Sequence, residues 1–402
     1  MNYGQSFSKV TNVMKSSLIR ELVASTKNIP GLISFAGGFP APATFPKELL
    51  AKLYQEVVNT QGSEVLQYGA SSGDSQLIKE LIKWEGFGLD PSEVLVTIGS
   101  TNAIYNYTRS LINPGDVILV EAPTFLGSLV VFDALQAEIH SVPIDDNGLD
   151  LNQLESTVKK LRAAGKNIKF LYTIPDFHNP GGVSMSLQRR RELIAYADKE
   201  NLAVLEDNPY GRLRFEGEHL PTLYRVMKEE FTNTNVVSET VTFSKILGAG
   251  MRMAFMKSDK AMISKMESWQ QKINVTPDCV SQRVTAKFLA DGHMEGHLKM
   301  ISAYYKPFLD QMLKSLETHM PAEVKWTKPQ GGIFLWMELP ERMNADEIFH
   351  QAAAKKVSFI PGSKFYPEGQ EKFNTLRLNF SYSSLEQIEE GIKRLGELLK
   401  AL

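Results

Sequence analysis

The chain has 402 residues, with 44 Lys and Arg against 46 Asp and Glu and a formal net charge of −2 at pH 7. This near-neutral balance gives no strong cationic field, so we expect neither a nucleic acid nor an acidic membrane surface as partner. The single cysteine, Cys279, excludes an intrachain disulfide and any multi-cysteine metal cluster. The N-terminus lacks the continuous apolar stretch of a signal peptide, and no apolar run approaches the ~20 residues of a membrane-spanning helix. The sequence therefore predicts a soluble cytoplasmic protein without a metal site.

Short, continuously apolar runs alternate with helical patterns from about Val94 onwards. A helical pattern from Leu151 to Leu161 ends near Gly165, and a second follows Ser186, a predicted N-cap. Continuous rather than alternating hydrophobicity is typical of strands buried on both faces. The predicted strands are 94–98, 117–120, 139–142, 170–174, 202–205, 236–243 and 251–256. Strands that alternate with helices predict an α/β fold, with a mostly parallel central sheet and helices on both faces.

The pattern changes after about Ser258. Residues 259–316 are predicted to be mainly helical, with breaks at Pro277 and Gly292 and a kink or junction at Pro307. Strand-like runs follow at 332–338, 357–360 and 375–380, and the last helix is predicted to begin with a capping box formed by Ser383 and Glu386. We therefore expect a large domain over residues 31–290 and a smaller α+β domain over 291–402.

Polar residues follow the predicted strands where each strand ends. In an open parallel sheet, ligands collect at the carboxyl ends of the strands. Gly-Ser-Thr-Asn at 99–102 lies at a predicted helix start, which suits a phosphate group but equally suits simple N-capping. The next strand ends carry Asn179, Asp207, Tyr210 and Lys245. Each of these alone could be a turn residue or a surface charge, but four at successive strand ends predict a binding site.

Lys245 stands in an apolar, β-rich context, with Arg252 seven residues further on. Burial and a neighbouring cation both lower the pKa of an amine towards nucleophilic use. The lysine is therefore the first candidate for a catalytic group.

Seven motifs resemble the signature of the class I and II aminotransferases, the fold-type I enzymes that use pyridoxal 5′-phosphate. Three of them read Asn-Pro-Gly-Gly at 179–182, Asp-Asn-Pro-Tyr at 207–210 and Thr-Phe-Ser-Lys at 242–245, the last followed by Arg252. The others lie at 34–40, 66–69, 331–336 and 377–380, and these look like the branch that contains the 2-aminoadipate and kynurenine aminotransferases. The resemblance extends over nearly the whole chain, from about Ser16 to Leu399.

The resemblance implies a role for each residue around the cofactor ring. Lys245 would bind the cofactor aldehyde and, once released, move the Cα proton of the substrate as general base. Asp207 would face the pyridine nitrogen, Tyr210 and Asn179 would hydrogen-bond the 3′ oxygen, and Phe125 would stack on the ring.

Further roles concern the phosphate group and the assembly. By the same resemblance, Ser100, Thr101, Thr242 and Arg252 would hold the phosphate, with Tyr68 reaching in from a partner subunit. The active site would then lie at the interface of a homodimer.

Substrate recognition rests on four residues in the same comparison. Arg377 would bind the α-carboxylate together with Asn179, and Gly38 would line the pocket. Arg20, in an N-terminal segment over 1–30 that would cover the active site, would meet a distal carboxylate or remain a solvated helix charge. The resemblance implies 2-oxoglutarate as acceptor and a broad range of aromatic, 2-aminoadipate-like or aliphatic amino donors.

Two alternative functions stay open at this point. A lyase, racemase or decarboxylase shares the fold, and so does the effector domain of some transcription regulators, although only 30 residues precede Gly31 here. The chain also departs from the family pattern at three positions. Gly181 replaces a common Thr, and Asp176 and His178 replace the commoner amides.

Overall fold

The computed structural model describes residues 3–13 and 29–402, and an eight-stranded sheet lies at its centre. The strands are β1 (Ile33–Ser34), β2 (Val94–Ile98), β3 (Val117–Ala122), β4 (Glu138–Asp145), β5 (Gly148–Leu149), β6 (Ile168–Thr173), β7 (Ala203–Asn208), β8 (Val237–Thr242), β9 (Met253–Lys257), β10 (Lys325–Trp326), β11 (Phe334–Glu338), β12 (Val357–Ser358), β13 (Ile360–Pro361) and β14 (Thr375–Asn379). The central sheet has the order β2-β9-β8-β7-β6-β3-β4-β5. The neighbours from β8 to β4 pair in parallel, whereas β9 is antiparallel to both β2 and β8. The α/β class and the mostly parallel sheet are confirmed.

Helices cover both faces of this sheet. They are α1 (Lys9–Val13), α2 (Lys47–Val65), α3 (Ser75–Glu85), α4 (Gly99–Leu111), α5 (Leu126–Ala134), α6 (Leu151–Ala163), α7 (Leu187–Lys199), α8 (Leu223–Glu230), α9 (Lys260–Ile273), α10 (Cys279–Ala290), α11 (His293–His319), α12 (Ala345–Ala354) and α13 (Leu385–Lys400). On β3, Val117 and Leu119 pack with α6, α7 and α8, while Ile118 and Val120 pack with α4, α5 and α9. Successive strand residues point to opposite faces, so a strand with helices on both sides must be apolar throughout.

A second sheet consists of four antiparallel strands in the order β10-β11-β14-β13 and packs against a separate hydrophobic core. This core contains the C-terminal half of α11 and the apolar face of α13, and also Ile33 and Phe35 from near the start of the chain. The N-terminal half of α11 packs instead with α2 and α10, in a hydrophobic core on the central sheet. Because α11 joins the two cores, the predicted domain boundary at 290/291 stays a prediction. The predicted separate N-terminal segment over residues 1–30 stays a prediction as well.

The helix α11 continues through Pro307 to His319, so this proline does not separate two helices, and the predicted kink stays a prediction. One local expectation is wrong. The capping box of α13 consists of Ser384 and Gln387, one residue later than predicted. The Ser384 hydroxyl accepts the N–H of Gln387, whose side chain accepts the N–H of Ser384, so the helix begins at Leu385.

None of the helices in the described ranges is long and apolar enough to cross a membrane.

A fully buried lysine links β8 and β9, two neighbouring strands of the central sheet. Lys257 on β9 pairs in register with Glu239 on β8, and its Nζ lies 2.7 Å from the Glu239 carboxylate and also contacts Glu85 of α3. Burial lowers the pKa of Lys257, but the two carboxylates outweigh it and leave the pKa raised. The lysine is therefore charged, and it compensates two buried negative charges.

We expect Lys257→Met to lower the free energy of unfolding by about 3–5 kcal/mol, because it removes the lysine paired with the buried Glu239 carboxylate and leaves Glu85 with Arg212 alone. Urea denaturation measures the loss. Lys260→Met is the control, since Lys260 forms an exposed ion pair with Asp90 at 3.0 Å and its removal is expected to cost much less. Equal losses for the two variants would contradict this account.

Candidate active site

Lys245 ends the short 3₁₀ turn Phe243–Lys245 that follows β8. Its Nζ donates a hydrogen bond to the carbonyl oxygen of Gly38 at 2.9 Å. Burial, and then the positive charges of Arg377 and Arg252, lower the pKa of Lys245 to about 8, although Asp207 acts in the opposite direction. A large share of this amine is therefore neutral near pH 8 and can act as a nucleophile or base.

Asp207 on β7 is buried. Its Oδ2 accepts a hydrogen bond from the Tyr172 hydroxyl at 2.6 Å, whereas its Oδ1 is buried with no partner among the residues described. Burial raises the pKa of Asp207 to about 6, with Tyr172 and Lys245 opposing the shift. A buried carboxylate oxygen without a donor is costly unless a ligand supplies one.

Tyr172 was not predicted as a site residue. It lies within the apolar run of β6, so the sequence gives it only a core role. Its contact with Asp207 depends on the pairing of β6 with β7.

Asn179 connects two other predicted site residues. Its Nδ2 donates to the Tyr210 hydroxyl at 3.5 Å, and its Oδ1 accepts from Nη1 of Arg377 at 3.0 Å. Arg377 also donates from Nη2 to the carbonyl oxygen of Ala36 at 2.9 Å. All three predicted side chains are buried in one cluster, which joins the ends of β6 and β7 to β14 of the second sheet.

The guanidinium of Arg377 is held in a fixed orientation. It lies 4.0 Å from the ring centroid of Phe334 and 5.0 Å from that of Phe365. Its Nε is buried and has no partner within the described part of the chain, and burial lowers its pKa to about 10. An oriented guanidinium with a free donor can bind a carboxylate.

A second polar cluster lies at the start of α4. Gly99 has φ +75°, and a Cβ at this position would collide with the Arg252 guanidinium, so the cation lies directly against the helix N-terminus that carries Ser100 and Thr101. A helix N-terminus with an adjacent cation favours an anion.

Thr242 lies at the end of β8, just before Lys245. Its Oγ1 donates to the Ser244 hydroxyl at 2.9 Å. Ser244 was not predicted as a site residue, although it stands between Thr242 and Lys245 in the same motif.

The remaining predicted residues have different environments. Phe125 is half-buried at the start of α5, with its ring over Gly127. Tyr68 follows α2 and is 78% exposed, so its side chain lies outside the buried cluster of its own chain. Arg20 lies outside the described residues. Asp176 is bound by Arg190, with Nη2 to Oδ1 at 2.7 Å, and belongs to a buried ion pair.

Comparisons with known proteins agree on the family. The profile of the class I and II aminotransferases matches residues 35–395. The chain is 39% identical to aromatic-amino-acid aminotransferase 1 of Thermococcus litoralis, over 100% of this chain and 95% of that protein. The chain belongs to the class I and II aminotransferases.

Solved structures support this assignment. The multiple substrate aminotransferase of Thermococcus profundus has 37% identity and a TM-score of 0.94, and the alignment covers 100% of this chain and 99% of that one. LysN, the alpha-aminoadipate aminotransferase of Thermus thermophilus, solved with N-(5′-phosphopyridoxyl)-L-leucine, has 32% identity and a TM-score of 0.91 over 100% and 99% of the two chains. This aminotransferase is therefore a fold-type I enzyme that transfers amino groups, and its cofactor is pyridoxal phosphate. Nothing in the comparisons supports a lyase.

The site of this aminotransferase fits that cofactor. The free Oδ1 of Asp207 matches a protonated ring nitrogen, and the partly neutral amine of Lys245 matches an aldehyde. The N-terminus of α4 with Arg252 matches a phosphate. Over the described ranges, no group of three or more His, Cys, Asp or Glu side chains could hold a metal ion.

We expect the amine of Lys245 in the cofactor-free aminotransferase to react with an acylating reagent with a midpoint near pH 8, because the amine loses its proton there rather than near 10.5. Arg377→Gln removes a neighbouring cation and moves this midpoint upward. Peptide mapping after pulses of reagent at different pH values measures both. A reaction rate that rises only above pH 10 in the unaltered protein would contradict the prediction.

Proposed function

We propose that this aminotransferase passes the amino group of aromatic, 2-aminoadipate-like and aliphatic L-amino acids to 2-oxoglutarate. The names of its relatives support the range of donors: one is an aromatic-amino-acid, one a multiple substrate and one an alpha-aminoadipate aminotransferase. The observation that carries the reaction type is the buried, oriented guanidinium of Arg377. A distal-carboxylate contact by Arg20 stays a prediction.

Arg377 favours proton removal over loss of the carboxylate. Asn179 and Ala36 use one N–H each of its five donors, so a fork remains for an α-carboxylate. If the α-carboxylate of the substrate is held flat near the plane of the cofactor, the Cα–H bond is perpendicular to that plane. Cleavage of the Cα–H bond requires this orientation. Decarboxylation requires the carboxylate itself to stand perpendicular.

Lys245 and Asp207 provide the proton chemistry. Pyridoxal phosphate, when bound, supplies an electron sink for the negative charge that develops at Cα. The buried carboxylate of Asp207 would keep the ring nitrogen of the bound cofactor protonated, and Tyr172 holds that carboxylate in place. Lys245, with its lowered pKa, would act as the base that accepts the Cα proton of the substrate. Asn179 and Tyr210 would hold the 3′ oxygen of the cofactor, and Phe125 would pack on its ring.

Ser100, Thr101, Thr242 and Arg252 anchor the phosphate. The helix N-terminus and the Arg252 cation would hold the anionic group of the cofactor.

Tyr68 acts in the partner subunit of a homodimer. In its own chain Tyr68 is exposed, and so are Leu66 and Val275, at 71% and 54%. Tyr68, Leu66 and Cys279 line one depression of the surface. A cluster of exposed apolar side chains favours a protein interface. The unpaired thiol of Cys279 supports a reducing, cytoplasmic location.

We expect the purified protein, loaded with pyridoxal phosphate, to show a visible absorbance band that is lost on addition of an amino acid and returns on addition of 2-oxoglutarate. Lys245→Ala abolishes both the band and turnover, because no other amine stands at this position. A band that never converts while amino acids are consumed would contradict aminotransfer and favour a lyase or decarboxylase.

We also expect the protein to have twice the mass of one chain by light scattering. Tyr68→Ala weakens cofactor binding, and a mixed dimer of Tyr68→Ala and Lys245→Ala subunits regains one tight site, because the intact tyrosine of one subunit completes the intact lysine site of the other. Cofactor titration of the mixture, with each homodimer as control, measures this. A mixture no tighter than the Tyr68→Ala homodimer would place Tyr68 in the site of its own chain.

A further inference from the structure

Glu121 and His178 meet beside Asn179, and the proposed chemistry uses neither of them. Glu121 lies on β3 and His178 follows β6, the neighbouring strand, and both are buried. Nε2 of His178 lies 3.1 Å from Oε2 of Glu121, in a close contact that is not aligned as a linear hydrogen bond. The carboxylate also accepts from the Thr173 hydroxyl at 2.7 Å and from the Ile174 N–H at 2.8 Å.

The other ring nitrogen of His178 determines its tautomer. Nδ1 accepts a hydrogen bond from the backbone N–H of Gly181 at 3.0 Å, so it carries a lone pair, and the proton stands on Nε2, facing Glu121. The His178 carbonyl oxygen accepts the N–H of Gly182 at 2.6 Å. The imidazole thus spans its own loop and connects the loop to β3.

Gly181 belongs to the same arrangement. A Cβ at this position would lie 2.9 Å from Nδ1 of His178 and 3.0 Å from Cδ1 of Ile144. The glycine therefore lets the backbone approach the imidazole. Two departures from the family pattern, at 178 and 181, are parts of one contact.

The residue held by this contact is Asn179, which directly follows His178 and bridges Tyr210 and Arg377. We propose that Glu121 and His178 are positioning residues that fix Asn179, and through it the hydrogen bonds of Tyr210 to the cofactor and of Arg377 to the substrate. Glu121 also begins the segment that leads to Phe125. The Glu121–His178 pair therefore joins the loops on two sides of the proposed cofactor ring. This inference rests on the proposed function.

Three variants test the proposal in the loaded enzyme. His178→Ala removes both contacts of the ring. His178→Gln restores them, because its amide can accept from Gly181 and donate to Glu121. Gly181→Ala keeps the histidine but displaces it, and it remains informative if His178→Ala fails to fold.

Two matched controls separate positioning from general damage. His319→Ala breaks another His–Glu pair, in which Nε2 lies 2.6 Å from Glu389, on the distant α11 and α13. Gly88→Ala adds a methyl group where nothing lies within 4 Å.

The main readout is the pH midpoint of the visible band, which depends on the donors to the 3′ oxygen. We expect His178→Ala and Gly181→Ala to raise this midpoint by about half a pH unit or more and to lower kcat/KM by about tenfold or more. His178→Gln and both controls stay near the unaltered enzyme. An unchanged midpoint in His178→Ala and Gly181→Ala, or a His178→Gln variant as impaired as His178→Ala, overturns the proposal. A missing band in the unaltered enzyme would instead overturn the proposed function.

Discussion

Burial of charged side chains at the carboxyl end of the central sheet is the constraint on which this site depends. Desolvation lowers the pKa values of Lys245 and Arg377 and raises that of Asp207. In each case burial stabilises the neutral form relative to the charged form, because the surroundings are apolar and few counter-charges are near. The same environment strengthens every hydrogen bond and ionic contact made by a bound ligand.

A site of this kind is stable only if its polar groups are held by partners. Tyr172 holds one oxygen of Asp207, Gly38 accepts from Lys245, and Asn179 connects Tyr210 to Arg377. Two of the buried atoms left without a partner in the described structure are Oδ1 of Asp207 and Nε of Arg377, and the proposed chemistry assigns the cofactor and the substrate to these two. Binding therefore completes a network that folding leaves incomplete.

The opposite face of the sheet meets the same constraint without a ligand. Glu206, next to Asp207 on β7, points away from the site and accepts the N–H groups of Leu223 and Tyr224 at the start of α8, each at 3.0 Å. Arg190 is bound by Asp176, and Lys257 by Glu239. These groups therefore have protein partners within the described structure. The alternation of side chains along β7 thus places Asp207, the carboxylate that the proposed function assigns to the cofactor, and the structural carboxylate of Glu206 on opposite faces of the strand.

The sequence by itself determined the sheet and the position of the site. Buried strands must be apolar on both faces, and this requirement appears directly as apolar runs. The polar motifs at their ends then predict the cluster of Asn179, Asp207, Tyr210 and Lys245. Only the tertiary structure decided which groups support them. Tyr172 is indistinguishable from a core residue until β6 pairs with β7, and the contact of Glu121 with His178 joins residues 57 positions apart in the chain. The exposure of Tyr68 was decided in the same way. Local patterns report how deeply a segment is buried, whereas the partner of a polar atom depends on strands and loops that meet only when the chain has folded.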